Sequence, residues 1–219
     1  MCSGDVMARN PRWCKPVSVW KQYFTDWIGL PEPQQLLDFT IFFDFRPVYG
    51  AMDIAQDLRR HVFDALRSQP SFYPHFAQNS LLFKPPNRLF GRILTGGAGG
   101  EHPGLLDLKD ALMPLVSFAR LYALRLEMAD THTIDRLDAL VEQNILQQSS
   151  GLEITSSYGF LVRLRLQHQT AMLVSDQVAD NVINYRGLTH TQQALLNQSF
   201  AQITAVQKRI SYDFLGGTV

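Results

Sequence analysis

Apolar side chains first recur at helical spacing from Pro16 onward, where Val17, Trp20, Phe24, Trp27 and Ile28 fall on one face. Pro at an early position and Gly29 with Pro31 as a stop predict a helix there. A short QQLLD segment precedes FTIFFDFRPV, residues 39–48, a run of β-branched and aromatic residues closed by Pro47 and Gly50. That composition predicts the one clear strand of the chain. Everything after Ala51 reads as helix. Ile54, Leu58, Val62 and Leu66 mark one face, and a second helix is expected from Pro70 to Phe83. Residues 84–104 form a Pro-rich and Gly-rich connector. From Leu105 the apolar residues cover well over a third of a helical wheel, so the helix carrying Leu108, Leu112, Leu115 and Phe118 is expected to be buried. Thr133 opens a further helix with Ile134, Leu137, Val141 and Ile145 on a face and Gly151 as its expected stop. Residues 159–174 are apolar on both sides, as suits the centre of a bundle. Thr189 with Gln192 is a capping-box pattern that opens the last amphipathic helix. Helices with shared apolar faces and short loops predict an up-and-down bundle.

A lone strand cannot satisfy its own backbone donors and acceptors. Ser3, Gly4 and Asp5 read as a tight turn with no element before it. The strand must borrow a sheet or pair with weaker strands hidden in the chain, and together these features lead us to expect a truncated N-terminal unit. The expected fold is mainly α: residues 1–50 as the end of a partial α/β unit with one clear strand, and residues 51–219 as a C-terminal up-and-down helical bundle.

The 219 residues are 46% apolar and 18% charged, enough for a sizeable core and against general disorder. Lys plus Arg balance Asp plus Glu at 20 each, so no global field draws the chain to nucleic acid or an anionic membrane, and any anion site must be local. Fifteen of those cations are Arg, the side chain suited to bidentate contacts with carboxylate or phosphate. Only Cys2 and Cys14 occur, without metal-ligand spacing, which argues against a disulfide framework or a structural zinc. We assign neither a role. The first fifteen residues lack a signal-like apolar stretch, and the most apolar later segment is broken by Arg120 and Arg125. A cytoplasmic location is the expectation.

No Gly-x-Ser-x-Gly, His-Glu-x-x-His or phosphate-loop motif is present, and the GGAGG run is read as a connector. Strand alternation over residues 39–48 would turn Ile41, Phe43 and Phe45 one way and Phe42, Asp44 and Arg46 the other. Two readings stand for that second face: an Asp44–Arg46 ion pair, or Asp44 as a metal-ligating carboxylate. Metal-dependent nucleotidyl transfer needs two or three carboxylates around Mg²⁺, and the chain contains no Asp-x-Asp. Its residues alone do not complete such a site.

GDVMARNPRW, a Trp-rich helix, IFFDFRPVYG, LLDLKDALMPLVSFARLYAL, FLVRLRLQHQ, DNVI and a C-terminal Phe200-x-x-Ile203-x-x-x-Gln207 helix occur in this order over essentially the whole chain. In this it resembles the nucleotidyltransferases found with cyclic-nucleotide-binding and CBS modules, related to bacterial PII-protein uridylyltransferases. The resemblance implies a nucleotidyltransferase α/β domain carrying a Gly-Ser turn and an Asp-x-Asp pair, followed by a helical substrate-binding domain. It further implies that this chain is N-terminally truncated, holding the end of the first domain and all of the second, without the regulatory modules. Asp44 resembles the third catalytic carboxylate, a Mg²⁺ ligand, with Arg46 beside it at the edge of the sheet. Where relatives read Val-x-Gly-Asp, this chain has Val48, Tyr49, Gly50 and Ala51. The implied substrates are a nucleoside triphosphate and a protein acceptor.

On the helical side, Lys109 and Arg120 lie eleven residues apart and return to nearly one side of their helix, away from its apolar face. They are candidates for phosphate binding or a solvated stripe. Arg163, Arg165 and His168, with Gln169, are candidates for a ligand-facing cluster or for ion pairs with Asp107, Glu153 or Asp180. Asp180 and Asn181 are expected to cap or turn the chain. The leading expectation is the substrate-binding side of a Mg²⁺-dependent nucleotidyl-transfer cleft, silent on its own. The rival is a non-catalytic nucleotide-sensing or protein-interaction module in signal transduction. Self-association into a homo-oligomer would cover an aromatic face left by a missing sheet.

Overall fold

The structure is a computed structural model that describes residues 10–83, 88–89, 92–93 and 104–217. Helix α1, Val17–Gly29, begins after Pro16 and stops before Pro31, burying Phe24, Trp27 and Ile28. It packs along α3, Met52–Ser68, whose Leu58, Val62, Phe63 and Leu66 face inward. Between them lies the main departure from the sequence reading. Residues 39–48 are not a strand: α2, Pro33–Phe42, runs through the first four of them and the chain then turns at Phe43 and Asp44. Tertiary burial overrides β propensity here. Leu36, Phe39 and Phe43 sit at helical spacing and are all buried, whereas Ile41, which alternation would pair with Phe43, is exposed. The Phe39 ring lies 5.3 Å from Phe43 and 4.8 Å from Phe72, so the aromatic run is spent on helix packing.

Helix α4, Phe72–Ser80, is shorter at both ends than the expected 70–83. In the connector that follows, two-residue strands β1, Arg88–Leu89, and β2, Arg92–Ile93, pair antiparallel. The GGAGG run lies outside the described residues, as do Cys2 and the expected turn at Ser3, Gly4 and Asp5. Strand β3, Leu105–Asp107, pairs antiparallel with β4, Val182–Asn184, a small sheet the sequence did not announce. Asp107 then caps α5, Leu108–Arg125, accepting from the Lys109 and Asp110 backbone N–H groups at 2.7 and 3.1 Å.

Helix α5 is the centre of the bundle, packed against α4, against α6, Thr133–Glu142, against α7, Gln148–Val174, and against α8, His190–Leu215. Their directions follow from their end contacts. The β3–β4 pairing places the end of α7 beside the start of α5, so those two run antiparallel. Tyr122 near the end of α5 donates its hydroxyl to Asp213 near the end of α8, so α5 and α8 run parallel. Tyr73 at the start of α4 reaches the Leu124 carbonyl and stacks on Phe214, so α4 opposes both. Helices α4, α5, α7 and α8 thus go up, down, up and down, with α6 set into the α5–α7 connection. The expected capping box at Thr189 and Gln192 is present, and Gly216 closes α8 in the left-handed conformation.

Gly151 does not stop α6. That helix ends at Glu142, and Asn144 takes the left-handed turn at φ 58°. Gly151 belongs to the first turns of α7, where a Cβ would overlap the Val141 Cγ2 methyl, so its role is close approach of α6 and α7. Buried side chains from Phe24 to Ile210 form one continuous core. No helix among the described residues is long and apolar enough to cross a membrane.

Candidate functional site

The turn that ends α2 aims Asp44 into the junction of α3, α5 and α6, where three arginines meet it. Arg120 on α5 donates to Asp44 Oδ2 at 2.5 Å, and Arg136 on α6 donates to Asp44 Oδ1. Arg136 is fully buried and also donates Nε to the Asp130 carbonyl at 2.7 Å. Arg59 on α3 donates to the Phe45 carbonyl at 2.5 Å and lies 4.4 Å from the Phe45 ring centroid. The Arg136 guanidinium in turn lies 5.7 Å from the Phe43 ring. The aromatic residues around Asp44 therefore serve as platforms for the arginines.

Burial alone would raise the Asp44 pKa, but the charge of Arg120 and the hydrogen bond and charge of Arg136 outweigh it and hold the carboxyl below its ordinary value. Arg59 is pulled below its ordinary value by burial first and then by the like charge of Arg136, against the opposing pull of Asp44 and Asp130. Three guanidiniums thus face one enclosed carboxylate, Asp44, and one exposed one, Asp130, leaving one positive charge in excess. Two donors are buried without an acceptor, Arg59 Nη1 and Arg120 Nε. Buried donors of that kind are costly unless something supplies oxygen lone pairs to them.

Of the sequence candidates, the fold joins Asp44 to Arg120 and, separately, brings Arg165 and His168 to the turn at Asp180 and Asn181. Asp44 is paired with Arg120 and Arg136, not with Arg46, which is exposed. Lys109 is exposed in the first turn of α5 while Arg120 is 7% exposed, so the two do not share a solvent-facing side as expected. The reason is that α5 is enclosed nearly all round, and the arginine is sheltered by Asp44. Arg163 is exposed on the outer side of α7, lining a shallow groove with Leu166 and Thr170. Arg165 donates Nε to Asn181 Oδ1 at 2.7 Å, and His168 lies 2.9 Å from Asp180 Oδ1. Asp180 also accepts from the Val182 N–H, and the Asn181 carbonyl accepts from Leu108 N–H. These residues clasp the end of α7 to the start of α5, and Asp180 and Asn181 turn the chain as expected. They sit about 18 Å along α5 from Arg120, at twelve residues of helical rise.

Arg59 and Arg136 were not singled out in the sequence. Leu137 and Leu140 are buried while Ile134 is 40% exposed, so the inner face of α6 is rotated from the expected one and carries the arginine inward.

Asp44 does not fit a divalent ion in this arrangement. Both its oxygens accept from guanidiniums, which would repel a cation, and no group of three His, Cys, Asp or Glu side chains with metal-holding geometry occurs among the described residues. The same donors fit an anion.

Sequence-family comparison agrees with the helical half of the chain. Residues 70–214 match the family described as "Putative nucleotidyltransferase substrate binding domain", and residues 1–34 match "Putative nucleotidyltransferase DUF294". No curated protein and no solved structure matches the chain. Arg120 and Arg136 lie inside the first match, whereas Asp44 and Arg59 fall between the two. The first match takes in all of α4 to α7 and nearly all of α8, about two thirds of the 219 residues. The chain therefore belongs to the putative nucleotidyltransferase substrate-binding domain family.

Proposed function

We infer that this chain forms the substrate-binding side of a nucleotidyl-transfer cleft of the PII-uridylyltransferase type and is silent in transfer by itself. The observation that carries this reading is the arginine cluster: Arg59, Arg120 and Arg136 exceed their carboxylates in charge and leave two buried N–H groups without acceptors. Guanidiniums fixed on aromatic platforms are suited to phosphate oxygens, because the donors are already oriented and desolvated. Asp44 in this reading orients Arg120 and Arg136. Silence follows from the donor set, since among the described residues no metal-holding group of carboxylates forms around Asp44 to organise a triphosphate for attack.

The test is calorimetric titration of the whole chain with UTP and with ATP at low and high salt, beside an assay for pyrophosphate. Saturable binding that weakens with salt, falls at least tenfold in Arg59→Gln and releases no pyrophosphate is the expected result. Arg59 is the residue of choice because it is partly exposed and its loss spares the fully buried Arg136. A flat titration, or equal binding by Arg59→Gln, would remove the anion-binding reading. Pyrophosphate release from the folded chain would remove the silence.

A further inference from the structure

Beside the arginine cluster, and walled off from it by Phe45, lies a cavity of about 390 Å³ between α1, α3 and the segment joining α2 to α3. Phe45 belongs to both places: its ring faces the cavity, while Arg59 holds its carbonyl and covers its other side. The remaining walls are largely apolar, part aromatic and part aliphatic. Trp20 and Phe42 stand 5.1 Å apart and Phe24 and Phe45 6.1 Å apart, each pair tilted, so these rings pack on one another and give the space an aromatic wall. Ile54, expected in the core, is 52% exposed because it stands at this opening.

The polar lining has one sign. Among the described residues Lys15 is its only charged side chain, it is exposed, and no carboxylate pairs with it. Among the side chains that line it, the Trp20 indole N–H is a donor too, and only the Tyr49 hydroxyl can accept. A nucleobase carrying an amino group would bury its donors against side chains with almost no acceptor, which is less favourable. A carboxylate, which only accepts, would meet donors alone. The volume lies in the range of small-molecule pockets. At the ~30 Å³ a water molecule occupies in the liquid, it admits about thirteen non-hydrogen atoms.

We propose that this cavity binds a small planar aromatic acid, its ring system against Trp20, Phe42 and Phe45 and its carboxylate on Lys15. The site is distinct from the arginine cluster, so it stands or falls apart from the nucleotide reading. The probe is 2-naphthoate, with 2-naphthalenemethanol as its neutral counterpart and UTP as the nucleotide, each titrated into the whole chain by calorimetry and by tryptophan fluorescence.

The expected result is one naphthoate per chain, bound at least tenfold more tightly than the alcohol and not displaced by UTP. Lys15→Gln should erase the preference for the acid without changing the affinity for the alcohol or for UTP. Ala55→Trp, which fills the cavity from α3, should abolish naphthoate binding in protein that retains its helical circular dichroism. Absence of naphthoate binding at millimolar concentration would overturn the proposal. So would equal affinity for acid and alcohol, an unchanged preference in Lys15→Gln, or displacement of naphthoate by UTP. Because Lys15 is exposed, its variant remains decisive even if Ala55→Trp fails to fold.

Discussion

Replacing Asp44 by Asn separates the arrangement described above from a free catalytic carboxylate. In the folded chain each oxygen of Asp44 accepts from a different arginine, and the two arginine side chains are 9% and 1% exposed. Asn offers one acceptor oxygen and no charge, so at least one guanidinium loses its counterion inside the protein. Breaking one partner of a fully buried ion pair costs about 3–5 kcal/mol. Asp44 itself is 24% exposed, so water can reach the site and part of that penalty is relieved. A destabilisation of about 2–3 kcal/mol is the resulting expectation. In urea this corresponds to a midpoint lower by about 1 M, at a slope of ~2–3 kcal/mol per molar. The assay is equilibrium urea unfolding at neutral pH, followed by far-ultraviolet circular dichroism and by tryptophan fluorescence, with coincidence of the two probes as the check on two-state behaviour. Asp57→Asn is the control: its partner Lys21 lies 2.6 Å away, but both side chains are a third to a half exposed, and no measurable change is expected. If Asp44→Asn unfolds within about 0.5 kcal/mol of the parent, the range of an ordinary surface substitution, Asp44 does not hold the arginines together and the reasoning fails.

The same carboxylate sets a pH dependence. Because its folded pKa lies below the ordinary carboxylate value, its contribution is complete above about pH 4 and is lost as pH falls through the folded value. The gap between parent and Asp44→Asn midpoints should therefore narrow on acidification below pH 4; a gap that widens there would contradict the direction of the shift. Two glycines of α7 should respond with opposite sign. Gly159→Ala meets nothing within 4 Å and should stabilise by about 0.5–1 kcal/mol through helix propensity. Gly151→Ala gains the same propensity but collides with Val141, a side chain stiff at χ1, and overpacking of about 1–3 kcal/mol should leave it less stable than the parent. Thermal midpoints read both, and a stabilised Gly151→Ala would refute the close approach of α6 and α7.

What could be read from the chain was whatever its own neighbours decide. The start of α8 was legible because a capping box is a four-residue pattern, and the burial of α5 was legible because its apolar residues cover well over a third of a wheel. Where local preference and tertiary packing disagree, local reading failed in a traceable way. The aromatic run after Pro33 has the composition of a strand, yet Leu36, Phe39 and Phe43 also satisfy a helical period, and packing against Phe72 from α4 selects that period. Gly151 carried the mark of a helix stop because glycine serves both at helix ends and where two backbones press together. Only the position of Val141 distinguishes the two uses. The candidate site shows the same division. Asp44 was visible as a charge set among aromatics, but its partners stand 76 and 92 positions further on. Once α2 is a helix rather than a strand, Asp44 leaves the sheet face on which a metal was expected and enters a helix junction, so the change of secondary structure is also a change of chemistry. An acid on a sheet would collect other acids around a cation. At the meeting of α3, α5 and α6 it collects arginines, and it leaves a surplus of donors there.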